Sequence, residues 1–193
     1  MKYPSNSVLI FLAAIILKNK IPSILDRYEA SMFELKELDL DVFPKGKTSF
    51  AWIHVINNGL GVPIRIPVVV AKGNKPGKVL GLIAAVHGNE LNGIPVIQKL
   101  FGELKPEEIS GTMVGVFAVN VPGVLRGKRF FNDGVDLNRI APGDSKGDAS
   151  AVFINRILER IINRFDYLID LHTASFGRKN SYYIRADMSD AVT

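Results

Sequence analysis

Three continuous apolar runs, separated by segments with helical periodicity, constrain the fold of this chain most strongly. The runs are 79–86 (VLGLIAAV), 112–119 (TMVGVFAV) and 167–171 (YLIDL). Runs of this length without polar alternation are typical of strands that are covered on both faces. Segments 91–104 and 149–165 carry apolar residues at helical spacing. The alternation of strand and helix predicts an α/β domain with a largely parallel sheet.

A hairpin is predicted ahead of these runs. Segments 48–56 (TSFAWIHVI) and 64–71 (IRIPVVVA) are rich in β-forming residues, and Asn-Asn-Gly-Leu-Gly at 57–61 separates them. Glycine and asparagine in such a short connection favour a turn between antiparallel strands. A further short strand is predicted near 182–185, after which the chain ends without a helix to cover it. We therefore expect the carboxyl-terminal part of the domain to be absent.

The amino-terminal segment contains an unbroken apolar run of ten residues at 8–17, followed by Lys18 and Lys20. Ten residues are too few to span a bilayer but match the central part of a signal peptide. No small-residue cleavage site follows, and a buried or interfacial helix explains the same residues. We expect residues 1–40 to form an arm. Membrane contact depends on the apolar run being an anchor, and a cytoplasmic location is otherwise favoured.

Composition narrows the range of partners. The net charge is +5, and the 24 Lys and Arg residues are scattered without a basic run or interleaved aromatic residues. Nucleic-acid binding is therefore not expected, whereas a small anionic substrate suits the excess positive charge. The chain has no cysteine, which excludes a disulfide scaffold, a thiolate metal site and a cysteine nucleophile. The oligomeric state is left open.

Polar clusters follow two of the buried runs at the point where each strand is predicted to end. His87 and Glu90 follow the first run, and His172 follows the third. Ligands of α/β proteins bind at the carboxyl ends of strands. Two imidazoles and one carboxylate are a catalytic zinc arrangement with a fourth position left for water. Gly88 allows the backbone to turn tightly between two of the ligands. Alternatively, His172 is a half-buried histidine without a metal.

Four segments together resemble one known family. They are GLIAAVHGNELNGIPVIQKL, VNVPG, RFFNDGVDLNR and DYLIDLHT, and the resemblance runs from about residue 68 to residue 185. The chain resembles the succinylglutamate desuccinylase/aspartoacylase family of zinc hydrolases, which is related to the zinc carboxypeptidases. The resemblance implies a three-layer α/β/α fold with a mixed, largely parallel sheet. It also implies one zinc ion per chain, held by His87, Glu90 and His172.

Substrate-binding residues are implied by the same resemblance. In the Asp-Leu-Asn-Arg motif, Asn138 and Arg139 match residues that hold the substrate carboxylate. Arg129 matches the catalytic arginine that polarises the scissile carbonyl, with Arg126 as a rival. The expected activity is hydrolysis of the amide bond of an N-acyl amino acid, or of a similar small carboxylate-bearing amide, by zinc-activated water. The alternative enzyme is a peptide carboxypeptidase.

One feature of the family is not found in this sequence. Members activate the zinc-bound water with a glutamate in a later strand, whereas the last glutamate here is Glu159, in the middle of a predicted helix. We therefore expect residues 41–193 to be an incomplete catalytic domain without its general base. The second hypothesis is a non-catalytic metal- or ligand-binding fragment.

Three other polar residues carry weaker predictions. His54 lies in an alternating strand far from the clusters and is predicted to be structural. Asp170 precedes His172 by two residues, so both side chains lie on one face of the strand, where Asp170 either orients the imidazole or pairs with a nearby cation. Asp136 is a candidate partner for Arg139.

Overall fold

Six strands form a single mixed sheet in the computed structural model, which describes residues 32–175 and 177–186. The apolar run at 8–17 lies outside the described residues. The strands are β1 (Met32–Leu35), β2 (Lys47–Asn57), β3 (Pro63–Lys72), β4 (Lys75–Ala84), β5 (Ser110–Val116) and β6 (Tyr167–Leu171).

The spatial order of the strands is β1-β2-β3-β5-β4-β6. β2 pairs antiparallel with β3, and β3 pairs antiparallel with β5. The pairs β1–β2, β5–β4 and β4–β6 are parallel. The α/β fold with a mixed sheet is therefore confirmed. Because β5, β4 and β6 run in the same direction, their carboxyl ends meet at one edge of the sheet.

The predicted hairpin is present and extends about one residue further at each strand end. Its turn is stabilised by Asn58, whose side-chain Oδ1 accepts hydrogen bonds from the backbone N–H groups of Leu60 and Val62, each at 2.9 Å. These side-chain hydrogen bonds take the place of backbone hydrogen bonds in the turn, where the ladder between β2 and β3 ends. Residues within the turn itself therefore help to fix the register of β2 on β3.

Helices cover both faces of the sheet and give the three layers that the family resemblance implies. They are α1 (Gly93–Glu103), α2 (Val121–Arg126), α3 (Leu137–Ile140) and α4 (Ala149–Arg160), with single 3-10 turns at Leu40–Val42, Pro106–Glu108 and Ile162–Arg164. Ile97 and Phe101 of α1 pack on one face, and Phe153 and Ile157 of α4 pack on the other. The helix predicted over 149–165 ends at Arg160, after which one 3-10 turn completes the segment.

Successive side chains of β3 enter different cores on the two faces of the sheet, which explains why the sequence of this central strand is continuously apolar. Val68 and Val70 contribute to the core under α4, whereas Val69 and Ala71 contribute to the core under α1. Successive side chains of a strand point to opposite faces, so a strand with a helix layer on each side buries every residue. All four of these side chains are at most 1% exposed.

The prediction that 167–171 is a buried strand is wrong for the described part of the molecule. The segment does form β6, but Tyr167, Leu168 and Ile169 are 44–46% exposed. β6 lies at one end of the strand order and pairs with β4 alone. An apolar run indicates that a strand could be buried. Whether the strand is buried depends on which elements pack against it.

The strand predicted near 182–185 is also not formed. Residues 178–186 have no regular structure, and Tyr182 and Ile184 are 91% and 76% exposed. A strand needs a neighbour for its backbone hydrogen bonds, and none of the described strands lies beside this segment. β-forming side chains alone do not produce a strand.

Part of the segment assigned to an amino-terminal arm belongs to the sheet. β1 pairs with β2 from Met32 opposite Phe50 to Leu35 opposite Ile53, and Leu38 is 1% exposed in the core. Among the described helices, none combines the length and the apolar character needed to cross a membrane.

Candidate metal centre

The two predicted imidazoles come together because their strands are neighbours. His87 lies three residues beyond the end of β4, and His172 follows β6 directly. β4 and β6 are parallel and pair up to Ala84 opposite Leu171, so the chain leaves both strands at the same edge. Ala85 has a positive φ of 53°, an uncommon conformation for a residue with a side chain. The backbone therefore changes conformation directly after β4, two residues before His87.

His87, Glu90 and His172 form a cluster with the dimensions of a mononuclear metal site. Each offers one ligand atom, and the three atoms lie within 4.8 Å of one another. The two imidazole rings are 5.0 Å apart between centroids, at an interplanar angle of 63°. His87 and Glu90 are only 3% and 4% exposed. A nitrogen–nitrogen separation above 8 Å would have excluded shared coordination, and the cluster is well inside that limit.

Gly88 is required for a different reason from the one the sequence indicates. It is not among the residues with positive φ, so left-handed backbone freedom is not what it supplies. A Cβ at this position would lie 2.2 Å from the carbonyl carbon of Gly123 and 2.5 Å from the carbonyl oxygen of Lys128. The absence of a side chain therefore allows the metal-site loop to pack directly on the loop that carries Arg129.

The His87 ring presents an unpartnered nitrogen to the cluster. Nε2 lies 2.9 Å from Oδ1 of Asp136, and because a carboxylate only accepts, Nε2 carries the proton for this bond. Nη2 of Arg129 is also 2.9 Å from Nε2, but it has an alternative acceptor in Oδ2 of Asp136 at 3.4 Å. Nδ1 is buried without a hydrogen bond and lies 3.2 Å from Oε1 of Glu90. A buried lone pair beside a carboxylate suits a cation.

His172 stands between two carboxylates. Its Nε2 lies 2.7 Å from Oδ2 of Asp170, and its Nδ1 lies 3.1 Å from Oε2 of Glu90. The hydrogen bond to Asp170 raises the pKa of His172, burial opposes that rise, and Glu90 adds to it. With an acceptor at each nitrogen, the ring needs either a second proton or a cation at Nδ1. The donor set therefore fits a divalent metal such as zinc, which is bound by imidazole nitrogen and carboxylate oxygen.

Glu90 is a buried carboxylate that remains ionised. Burial by itself raises its pKa, but the Thr173 N–H bond to Oε2 at 3.1 Å and the two imidazoles together bring the pKa below its ordinary value. Nη1 of Arg129 approaches Oε1 at 2.6 Å, and Oγ of Ser175 lies 3.4 Å from the same oxygen. Ionised oxygen is the form that a metal ion requires as ligand.

The structure brings Arg129, and not Arg126, to the cluster. Nη1 of Arg129 contacts Glu90 and also donates to Oγ of Ser175 at 3.0 Å. Its backbone carbonyl accepts from the N–H of Gly88 at 3.2 Å. The guanidinium of Arg126 instead donates to backbone carbonyls beside α2. Of the two candidate arginines, Arg129 is therefore the one whose positive charge lies next to the candidate metal ligands.

Asn138 and Arg139 follow Asp136, which contacts His87, but their own side chains make no contact with the cluster among the described residues. Both are exposed residues of α3, and within the described residues their side chains make no hydrogen bond or ion pair. Asp136 begins that helix by accepting from the Asn138 N–H at 3.1 Å, while its carboxylate also contacts His87. The predicted pairing of Asp136 with Arg139 is not observed. Burial raises the pKa of Asp136, but hydrogen bonds from His87 and Asn138 and the charge of Arg129 lower it overall.

Sequence reasoning missed three participants. Asp136 fixes the His87 ring, Thr173 donates to Glu90 through its backbone N–H, and Ser175 bridges Arg129 and Glu90. A carboxylate at the start of a short helix and a serine in a loop carry no spacing signal that would separate them from ordinary capping and loop residues. The prediction for Asp170 was open between two roles, and its 2.7 Å contact with His172 is the orienting one.

Fold and site together define an α/β protein with a candidate mononuclear metal centre at the carboxyl ends of two parallel strands. Residues 76–193 match the succinylglutamate desuccinylase/aspartoacylase catalytic domain. Since the match covers more than half of the chain, the chain belongs to the succinylglutamate desuccinylase/aspartoacylase family. The named members are hydrolases.

Individual relatives agree with this assignment. The chain is 32% identical over 111 residues to N-alpha-acetyl-L-2,4-diaminobutyric acid deacetylase of Halomonas elongata, a match covering 57% of this chain and 32% of that protein. A succinylglutamate desuccinylase/aspartoacylase structure from Rhodobacter sphaeroides superposes with a TM-score of 0.63 at 29% identity, covering 72% of this chain and 43% of that one. An aspartoacylase family protein from Mesorhizobium loti superposes with a TM-score of 0.60 at 29% identity, and the match covers 70% of this chain and 42% of that one. The chain thus spans less than half the length of these relatives.

Proposed function

We propose that this protein is a zinc-dependent hydrolase that cleaves the amide bond of an N-acyl amino acid or a similar small carboxylate-bearing amide. The observation that carries the proposal is the buried cluster of His87, Glu90 and His172, with ligand atoms within 4.8 Å of one another and an unpartnered Nδ1 on His87. Membership in a family of deacylases gives the reaction class.

The metal would be held by the two imidazoles and Glu90. When bound there, zinc supplies a Lewis acid for the carbonyl and lowers the pKa of a coordinated water. Asp136 and Asp170 orient the imidazoles, since each accepts from the Nε2 side and leaves Nδ1 for the cluster. Two neutral imidazoles and one carboxylate would leave a bound divalent ion with a net single positive charge, which would help to lower the pKa of a coordinated water.

Arg129 supports charge that develops at the substrate carbonyl oxygen. Its guanidinium is anchored by Glu90, Ser175 and Asp136, which fixes its position before any substrate arrives. Preorganised positive charge of this kind contributes to catalysis because it needs no rearrangement during the reaction. Asn138 and Arg139 are exposed without side-chain partners among the described residues, and we assign them the substrate carboxylate, which a guanidinium binds through two parallel hydrogen bonds.

Two other functions use the same residues. A peptide carboxypeptidase would share the metal ligands and the carboxylate-binding arginine. A non-catalytic metal- or ligand-binding protein would bind zinc without turnover. The relative from Halomonas elongata is named as a deacetylase of an N-acetylated amino acid, which favours the deacylase over the peptidase.

Zinc binding and hydrolysis are tested separately. The protein is first titrated with zinc in competition with a chromophoric chelator, and we expect one ion per chain. The zinc-loaded protein is then assayed with N-acetyl amino acids and with dipeptides. Release of amino acid from the acetylated substrates supports the proposal, whereas turnover of dipeptides alone favours the carboxypeptidase. Zinc binding without hydrolysis of either favours the binding protein, and no zinc binding contradicts all three.

A further inference from the structure

An apolar groove between β1, the β2–β3 hairpin and α2 has no role in the function described so far. Its volume is about 560 Å³. Trp52, Val62 and Leu125 line it and are 36%, 54% and 81% exposed. Leu60, in the turn beside Val62, is 88% exposed. Apolar side chains that are exposed side by side mark a surface that binds a partner or a membrane.

The alternation of β2 explains why a tryptophan lies in this groove. Ala51 and Ile53, the neighbours of Trp52 in the strand, are buried in the core under α4. Since successive side chains of a strand point to opposite faces, Trp52 lies on the other face. Tryptophan is enriched at the boundary between lipid and water, because its ring is apolar and its N–H is polar.

The α2 side of the groove carries positive charge that no carboxylate balances among the described residues. Within the groove, Nε of Arg65 is already paired with Oε1 of Glu34 at 2.7 Å. Arg126 follows Leu125 and donates to two backbone carbonyls, which leave its charge in place. Lys128 is exposed, and its side chain forms no ion pair within 32–175 and 177–186. A partner with negative charge therefore suits this rim.

The sequence ahead of β1 supplies a second apolar element that is tied to the groove. Fourteen residues, 18–31, join the apolar run at 8–17 to β1, and Glu34 of β1 lines the groove. Even when fully extended, such a connection spans at most about 50 Å. A surface that holds the run is therefore within reach of the groove, and the connection makes binding at the groove an intramolecular event.

Charge separates three candidate occupants of the groove. Residues 1–25 contain three lysines and no acidic residue, so the run itself would bring like charge to Arg126 and Lys128. In a two-fold dimer, a second copy would bring the same two cations to the interface. Anionic lipid headgroups have the opposite sign. Leu60 and Leu125 also protrude, as side chains that enter a bilayer do.

We infer that the groove docks this protein on the surface of an anionic lipid bilayer. Its apolar side chains lie at the level of the headgroups, and Arg126 and Lys128 contact lipid phosphates. The run at 8–17 is the second attachment. A single acyl chain binds a bilayer only marginally, and stable attachment of a peripheral protein takes two signals. The inference does not depend on the proposed function.

Trp52 reports on the groove without a label, because it is the only tryptophan of the sequence. The full chain is mixed with vesicles of phosphatidylcholine alone, or of equal parts phosphatidylcholine and phosphatidylglycerol. We expect co-sedimentation with the mixed vesicles, a shift of the Trp52 emission to shorter wavelength, and quenching by lipids with brominated acyl chains. Loss of binding at high salt is also expected, since exposed charges are then screened.

Substitutions locate the contact. Leu125→Glu should weaken binding to the mixed vesicles by at least about tenfold, the lower limit for burial of one leucine side chain. Ile184→Glu is the matched control, because it adds the same charge at an apolar residue that is 76% exposed and does not line the groove. Lys128→Gln should weaken binding to the mixed vesicles about fivefold, whereas Lys179→Gln, at another exposed lysine, should not. Circular dichroism and zinc stoichiometry show that each variant is folded.

Four outcomes overturn the inference. Failure to bind the mixed vesicles is the first. Vesicle binding that leaves Trp52 emission and quenching unchanged would show that the run attaches the protein without the groove. Trp52 emission that changes with protein concentration, and not with vesicles, would place a second copy in the groove. Equal losses in Leu125→Glu and Ile184→Glu would show that added negative charge weakens binding wherever it lies.

Discussion

Each imidazole of the cluster is held at one nitrogen by an aspartate and presents the other nitrogen to Glu90. Asp136 holds Nε2 of His87 at 2.9 Å, and Asp170 holds Nε2 of His172 at 2.7 Å. Such outer carboxylates fix the tautomer and the ring plane of a metal ligand. At the residue scale, the hydrogen bonds from the imidazoles to Asp136 and Asp170 therefore place the two rings for a cation before any cation binds.

Removing one ligand tests this arrangement. His172→Ala should weaken zinc binding by more than about 100-fold. Removing a residue that only hydrogen-bonds to a metal ligand already lowers metal affinity about 10–100-fold. His54→Ala is the control, because His54 makes its side-chain contact with Asn57 at 2.8 Å, in the hairpin. Affinities are measured by chelator competition. Comparable losses in both variants would contradict the assignment of the site.

Gly88 is the second residue whose replacement should be costly. Gly88→Ala places a Cβ against the backbone of Gly123 and Lys128, neither of which is a flexible side chain. We expect a loss of about 1–3 kcal/mol in the free energy of unfolding, typical of overpacking, together with weaker zinc binding. Gly102→Ala is the matched control, because nothing lies within 4 Å of its added Cβ and alanine favours the helix. Urea denaturation separates the two variants, and equal stabilities would contradict the packing argument.

At the scale of elements, the position of β6 beside β4 decides whether the site exists. Asp166, which immediately precedes β6, accepts from the backbone N–H of Val79 at 2.7 Å and from Nζ of Lys78 at 2.9 Å. These bonds fix the start of β6 against β4, and the ladder then carries the register up to Leu171, next to His172. The hydrogen bonds from Lys78 and from the Val79 N–H lower the pKa of Asp166, burial opposes them, and the charge of Lys78 adds a smaller lowering.

Stability should depend on pH through this carboxylate. Because the pKa of Asp166 is lower in the folded state, its ionised form stabilises the fold at pH values above the unfolded pKa of about 3.9. That contribution is lost as the pH falls through the folded value. The difference in unfolding free energy between wild type and Asp166→Asn should therefore be constant above about pH 5 and shrink below about pH 4. Glu159→Gln, an exposed change on α4, serves as control, and a difference that grows on acidification would refute the assignment.

At the scale of the whole molecule, a metal ion at the cluster would join the ends of two adjacent strands. His87 follows β4, and His172 follows β6, which is the exposed edge of the described sheet. Anything that binds the folded state and not the unfolded state stabilises the fold by mass action. The edge strand, which has a neighbour on one side alone among the described strands, should benefit most.

Metal removal tests this link between site and fold. Free zinc at 100 times its dissociation constant should stabilise the protein by about 2.7 kcal/mol, and a chelator should reverse the effect. Thermal unfolding with and without zinc gives the shift, and hydrogen exchange of the β6 amides locates it. His172→Ala should unfold at the same temperature with and without zinc. A full zinc shift in that variant would show that the metal stabilises the fold elsewhere.

The sequence by itself predicted five of the six described strands, the hairpin between β2 and β3, and the three residues that cluster as a candidate metal site. Continuous apolar runs and helical spacing reflect which side chains are buried, and this pattern lies within each segment. It therefore predicted β4, β5, α1 and α4 with bounds within about five residues of those observed. His87 and His172 could be predicted as partners because parallel neighbouring strands end at one edge of a sheet. The turn at Asn58 was equally readable, since its hydrogen bonds span only four residues.

The tertiary structure alone decided the exposure of β6, the lack of a strand at 182–185, and which of Arg126 and Arg129 contacts Glu90. Each depends on which segments lie side by side, and the sequence states this nowhere. The contacts of Asp136 with His87, 49 residues apart, and of Arg129 with Glu90, 39 residues apart, are of the same kind. A local pattern shows that a side chain can be buried or charged, whereas its partner is fixed only when the sheet brings distant loops to one edge.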